Sequence, residues 1–244
     1  MTDTTASVSG PAEAHKGLLA RVIGVVVSPR ATFADVAARP RWFGVLALCM
    51  GITIVFISAF LSTEVGQQAF LDQQVRGFES VGRTMPDAQF QMMEKIAPYV
   101  SYIVMGYVLI LVPIVVLAVS GILMGAFSAL LGGDATFKQV VAIVVHAGVI
   151  NAVQAVFSVP IEYARETLSS PTNLGVFVPF LDENTFLARL LGTIDLFQIW
   201  AIVTLSIGLG VLYKRRTGPI ATGMFILYAV IILAVAAIRS ALSS

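Results

Sequence analysis

The polar residues that could do chemistry in this chain sit where polar residues are most expensive. His146, Asn151 and Gln154 fall within the apolar stretch Val140–Pro160, and Asp195 and Gln198 within Leu190–Tyr213. In a membrane helix such groups pair with one another or mark a path for a solute or proton. Asn151 and Gln154 are three residues apart, as are Asp195 and Gln198, so each pair shares a helix face. Counted inward from Pro160 and Leu190, Gln154 matches Asp195 in depth and Asn151 matches Gln198. The spacing therefore predicts two hydrogen-bonded pairs across antiparallel helices. Such a cluster serves either as interhelical glue, at about 0.6–2 kcal/mol per contact, or as a proton or solute site with Asp195 titrating. His146 lies elsewhere on its helix and reads as a packed side chain. No catalytic constellation accompanies these groups: the sequence has no His-Glu-x-x-His, Gly-x-Ser-x-Gly, phosphate loop, dinucleotide fingerprint or paired-cysteine motif. We read no catalytic residue, cofactor or metal site, and a non-enzymatic protein.

The elements that must hold these residues are membrane helices. Pro98–Gly133 contains no Asp, Glu, Lys, Arg or His, whereas a bilayer crossing needs only about 20 apolar residues. Trp42–Thr63, Val140–Pro160, Leu190–Tyr213 and Pro219–Ile238 repeat the pattern. The chain is 57% hydrophobic and 12% charged, about half the charge usual in soluble domains. Its 15 basic and 14 acidic residues nearly cancel, which gives no basic field for nucleic acid. The only cysteine, Cys49, excludes an internal disulfide.

The expected fold is an all-α, polytopic membrane helix bundle with five transmembrane helices, near 42–63, 99–131, 139–160, 190–213 and 219–239. Residues 1–16 read as a disordered tail. Residues 17–41 form a cytoplasmic interfacial segment whose amphipathic helix turns Leu18, Leu19, Val22, Ile23 and Val26 to lipid and Arg21 to head groups; no signal-peptide cleavage site follows it. Thr32 and Asp35 have capping-box spacing, as do Thr136 and Gln139. Short extramembrane helices are expected in the first outer loop, about 66–97, the second of them over Asp87–Ile96. Pro113 must kink the long second span. Gly121, Gly125, Ala129 and Gly133 then form a small-residue stripe for helix packing, either inside the bundle or at a dimer face.

Charge sets the orientation. Loops 1–41, 132–139 and 214–218 carry nine basic residues against four acidic; loops 64–97, 161–189 and 239–244 carry six against nine. The positive-inside rule puts the N-terminus in the cytoplasm and the C-terminus outside, in a cytoplasmic (inner) membrane. Arg39, Arg41, Trp42, Lys138 and Lys214–Arg216 then form a candidate face for anionic lipid or a partner protein, at about 1 kcal/mol per basic residue. The expected partners are membrane lipid, other membrane proteins or a second copy of the chain. A small-solute or proton-linked transporter built on Asp195 is the alternative reading.

Ser28-Pro29-Arg30-Ala31-Thr32-Phe33 and Arg39-Pro40-Arg41-Trp42 precede the first span. The second ends in Leu131-Gly132-Gly133-Asp134-Ala135-Thr136-Phe137-Lys138-Gln139-Val140, and a Trp200-bearing fourth helix leads to a short basic turn. This pattern, over roughly residues 25–240, resembles the bacterial branch of the Yip (Ypt-interacting protein) domain family. The resemblance implies five spans and a cytoplasmic N-terminus. Eukaryotic relatives bind small GTPases and act as scaffolds in vesicle traffic. Their long N-terminal region is much reduced here, so that activity does not carry over, and the family brings no catalytic residues.

Overall fold

The computed structural model describes residues 17–80, 82–132, 134–181 and 185–242. The expected tail over residues 1–16, and Gly133 of the small-residue stripe, lie outside them. All regular structure among the described residues is helical; the only β-type pairing is a single bridge between Asn173 and Asp195.

Two short helices, α1 (Leu18–Val27) and α2 (Pro29–Ala38), open the chain, with Pro29 at the first turn of α2. There its missing N–H costs nothing. α3 (Phe43–Leu61) follows, then α4 (Glu64–Glu79), capped by Thr63, and α5 (Asp87–Ile96). A single 3-10 turn joins α5 to α6 (Val100–Leu131), which runs through Pro113 without ending and closes on Gly132 at φ 61°. Only glycine takes that left-handed conformation without strain. α7 (Phe137–Ala147) starts in the expected capping box: the Thr136 hydroxyl accepts from the Gln139 N–H while Gln139 Oε1 accepts from the Thr136 N–H at 2.9 Å. α8 (Val149–Ala164) continues it past Gly148. α9 (Phe186–Thr193), α10 (Leu196–Leu212) and α11 (Thr217–Leu242) complete the chain.

Among the described residues, four stretches are long and apolar enough to cross a membrane: Phe43–Leu61, Asp87–Ala129, Phe137–Ala164 and Thr217–Ile238. α10 is apolar but has 17 residues, about 26 Å of helix against a hydrocarbon core of about 30 Å. The third of the four is the staff of the bundle. In its apolar window 61% of residues are buried, against 22% or less in the other three. Val140, Ala142, Ile143 and Ile150 have no exposed surface, because α7 is apolar on nearly every side and is wrapped by α1, α2, α3, α6 and α10.

The N-terminal segment departs from expectation. α1 does leave Leu19, Ile23 and Val27 exposed, yet Arg21 is buried at 5% exposure and turned into the protein rather than toward head groups. Thr32 does not cap a helix either. α2 starts at Pro29, a turn earlier, so Thr32 lies inside it against α1, and Asp35 pairs with Arg21. Tertiary contacts override the local capping signal here, since a buried guanidinium needs a carboxylate more than a surface helix start needs a second cap.

Candidate functional site

The bundle has two chemically different ends. α3 leads away from Trp42 to Leu61 and α6 comes back from Val100 to Gly132, so the start of α3 and the end of α6 share one end. The loop from α6 to α7 and the turn from α10 to α11 are at that same end: Gly132, Asp134, Ala135, Gln139, Leu212, Tyr213 and Lys214 together line a hollow of about 380 Å³.

Buried polar bonds build this end. Arg21 Nε donates to Asp35 Oδ2 at 2.8 Å, with side chains 6% and 20% exposed. Its Nη1 donates to the carbonyls of Arg39, at 3.2 Å, and Arg41, at 3.4 Å. One guanidinium therefore fixes α1, α2 and the link into α3, and this satisfies the rule that a buried charge must be paired. Packing locks the same piece. A Cβ on Gly24 would lie 2.3 Å from Thr32 Oγ1, so α1 and α2 cross nearly backbone to side chain. Phe33, with no exposed surface, projects into the bundle beside Ile143; a Cβ on Gly208 of α10 would come within 2.6 Å of Ile143 and 3.0 Å of Phe33. Gln139 supplies the last tie: its Nε2 donates to the Ala37 carbonyl at 2.9 Å, joining the α7 cap to the end of α2.

This lock gathers charges that are far apart in sequence. Arg39 and Arg41 follow α2, Lys138 opens α7 beside Gln139, and Lys214, Arg215 and Arg216 form the turn next to Arg30, whose Nη2 donates to Thr217 Oγ1 at 3.4 Å. All of these basic side chains are exposed, while Trp42 is half-buried with its ring edge-on to Phe43 at 6.0 Å. Of the acidic residues in this region, Asp35 is held by Arg21 and Asp134 is exposed.

Asp195 belongs to the opposite end and is not inside a helix. It is the N-cap of α10: Oδ1 accepts from the Phe197 N–H at 2.8 Å, and Oδ2 accepts from the hydroxyls of Ser170 and, at 2.8 Å, Thr172. The predicted cross-helix bonds are absent among the described residues. Asp195 does not bond Gln154, nor Asn151 Gln198; Asn151 and Gln198 are exposed and Gln154 is half-buried. The reason is that the apolar stretch beginning at Leu190 is divided into α9 and α10. Its carboxylate is therefore used on the helix start and the preceding loop, and α8 meets α10 through Phe157 and Phe197, 5.7 Å apart. A cavity of about 380 Å³ does reach Asp195, bordered by Gln73, Arg76 and Ser170.

The remaining candidates stand apart. Gly121, Gly125 and Ala129 lie on an exposed face of α6, and a Cβ on either glycine would meet nothing within 4 Å. His146 is fully buried; its Nδ1 donates to the Ala142 carbonyl at 2.7 Å, and Nε2 has no partner among the described residues. Sequence reasoning missed Arg21, Asp35 and Phe33 as the organisers of the basic end. The available signal was an arginine interrupting an apolar helix, followed by a second short helix whose one carboxylate, Asp35, the capping-box spacing assigns to a cap.

Comparison with known proteins gives one match. The Yip1 domain family model matches residues 23–238, nearly the whole described chain. No curated protein and no solved structure matches.

Proposed function

Because this chain belongs to the Yip1 domain family, we propose that it is a non-enzymatic scaffold or organiser of the cytoplasmic membrane, working through its basic end. That the protein is membrane-embedded through several apolar helices follows from its family and its spans. In our reading α10 is a further crossing, the fourth of five, so that the N-terminus is cytoplasmic and the C-terminus outside. The 17 residues of α10 lie at the short limit for a span, with Asp195 and Lys214 at its two boundaries.

One observation carries the proposal: Arg30, Arg39, Arg41, Lys138 and Lys214–Arg216, from separate parts of the chain, meet on one end held rigid by the buried Arg21–Asp35 pair. Anchoring of topology needs charges at this end, but it does not need a locked helical hairpin to arrange them. A preformed basic surface at membrane level attracts anionic head groups, or the acidic face of a partner, at about 1 kcal/mol per charge. The Asp195 cluster supports transport less well, because its oxygens are occupied by a helix cap and two hydroxyls.

Orientation can be tested by thiol labelling. With Cys49 replaced by Ala, a cysteine at Arg215 should resist a membrane-impermeant reagent in intact cells, and one at Gly77 should react. The reverse pattern would end the cytoplasmic assignment.

A further inference from the structure

The end opposite the basic face carries a second feature that the scaffold reading does not use. Three hollows adjoin there, and Arg76 of α4 lines all of them. The largest, about 700 Å³, is open on one side and lies between the end of α3 and the start of α6, walled by Leu61, Val100, Val104 and Leu168. The next, about 550 Å³, is polar: Arg165, Thr167 and Ser169 border it with Arg76. The small cavity that reaches Asp195 bridges the two. Together they make a groove, apolar at one end and basic with hydroxyls at the other, in which each hollow is by itself of a size usual for ligand sites.

Its level relative to the membrane follows from the aromatic residues. Tyr99, Tyr102 and Tyr163 are all strongly exposed at this end, as expected where rings sit among head groups. Tyr99 and Tyr102 bracket Val100, so the mouth of the apolar arm sits at the head-group boundary, with Val104 one helical turn deeper toward the acyl chains. Arg76 Nη2 donates to Thr167 Oγ1 at 3.5 Å, and Arg165 is exposed. Glu162 lies near Asp195, but no carboxylate is among the described residues that line the polar arm. Asp195, in the connecting cavity, is engaged by Ser170, Thr172 and the α10 cap, which leaves Arg76 and Arg165 as the charged groups facing that arm.

We infer that this groove is a site for one anionic glycerophospholipid of the leaflet opposite the basic face, its phosphate between Arg76 and Arg165 and an acyl chain along Leu61, Val100 and Val104. Charge complementarity selects the head group, and an arginine fork suits a phosphate.

The test uses the full-length protein, with Cys49 replaced by Ala and a bimane-labelled cysteine at Gly77. That position borders the apolar arm and has open space for a side chain. In phosphatidylcholine bilayers containing a few per cent of brominated-chain phosphatidylglycerol, quenching should exceed the value set by mole fraction by about fivefold or more. Arg76→Gln, which removes the phosphate partner, and Val104→Trp, which fills the apolar arm, should each return quenching to the mole-fraction value while thermal stability is retained. Quenching that follows mole fraction in the parent protein would overturn the inference. So would equal enrichment of brominated phosphatidylcholine, or indifference to both substitutions. Complete displacement by millimolar inorganic phosphate, with Val104→Trp silent, would assign the site to a free anion instead and likewise refute it.

Discussion

Replacing Arg21 with methionine should release the N-terminal hairpin from the bundle. The substitution keeps the apolar stem but removes the 2.8 Å bond to Asp35 and the donors to the Arg39 and Arg41 carbonyls. Breaking one partner from a buried pair costs about 3–5 kcal/mol. Asp35 retains 20% exposure and can recover some hydration, so about 3 kcal/mol is the expected loss. That is a factor of about 150 in the equilibrium holding α1 and α2 down, or about 6–12 °C in Tm if the whole bundle unfolds together. Two readouts separate the cases: thermal unfolding in detergent, and trypsin cleavage within residues 28–41, which accelerates even when release is local. Asp35→Asn should cost a comparable amount, because it keeps a polar acceptor but leaves the charge of the more buried Arg21 uncompensated. Arg21→Met combined with Asp35→Leu should regain most of the loss, since an apolar pair of suitable volume replaces a buried ion pair at little cost. A single Arg21→Met variant with native Tm and native protease protection would refute the argument. So would a double-mutant cycle in which the two losses simply add.

Gly208→Ala should destabilise the bundle by about 1–3 kcal/mol through its clash with Ile143 and Phe33. Gly125→Ala, placed in open space on α6, should be neutral or slightly stabilising because alanine favours helix; matched thermal melts check both. Gln139→Ala should cost about 1–2 kcal/mol by losing the cap and the Ala37 tie together. Gln139→Glu keeps the cap acceptor but not the donor, so it should expose the α2 segment to protease while α7 keeps its start, as read by hydrogen exchange.

Much of this architecture was legible in one sequence because lipid demands a simple pattern. The absence of charge from Pro98 to Gly133 announces α6, and the Thr136–Gln139 box marks the start of α7. Apolarity alone, however, cannot divide a stretch. Leu190–Tyr213 reads as one helix, but it breaks at Ile194 and Asp195, and a residue expected five positions deep is instead a cap at the helix end. The Arg21–Asp35 pair was hidden for a different reason. It depends on how α1 folds back on α2 across Ser28 and Pro29, and local rules gave each residue a plausible surface role. The groove around Arg76 draws on α3, α4, α6 and the loop after α8, and no spacing in the sequence links those segments.

The account turns on whether the basic end engages anionic lipid. Hydrogen exchange of the protein in nanodiscs, with and without phosphatidylglycerol, tests this over residues 28–41, 134–139 and 213–217. The account predicts slower exchange in those segments when anionic lipid is present, with the difference lost when Lys214, Arg215 and Arg216 are all changed to Gln. Identical exchange in neutral and anionic bilayers would contradict it.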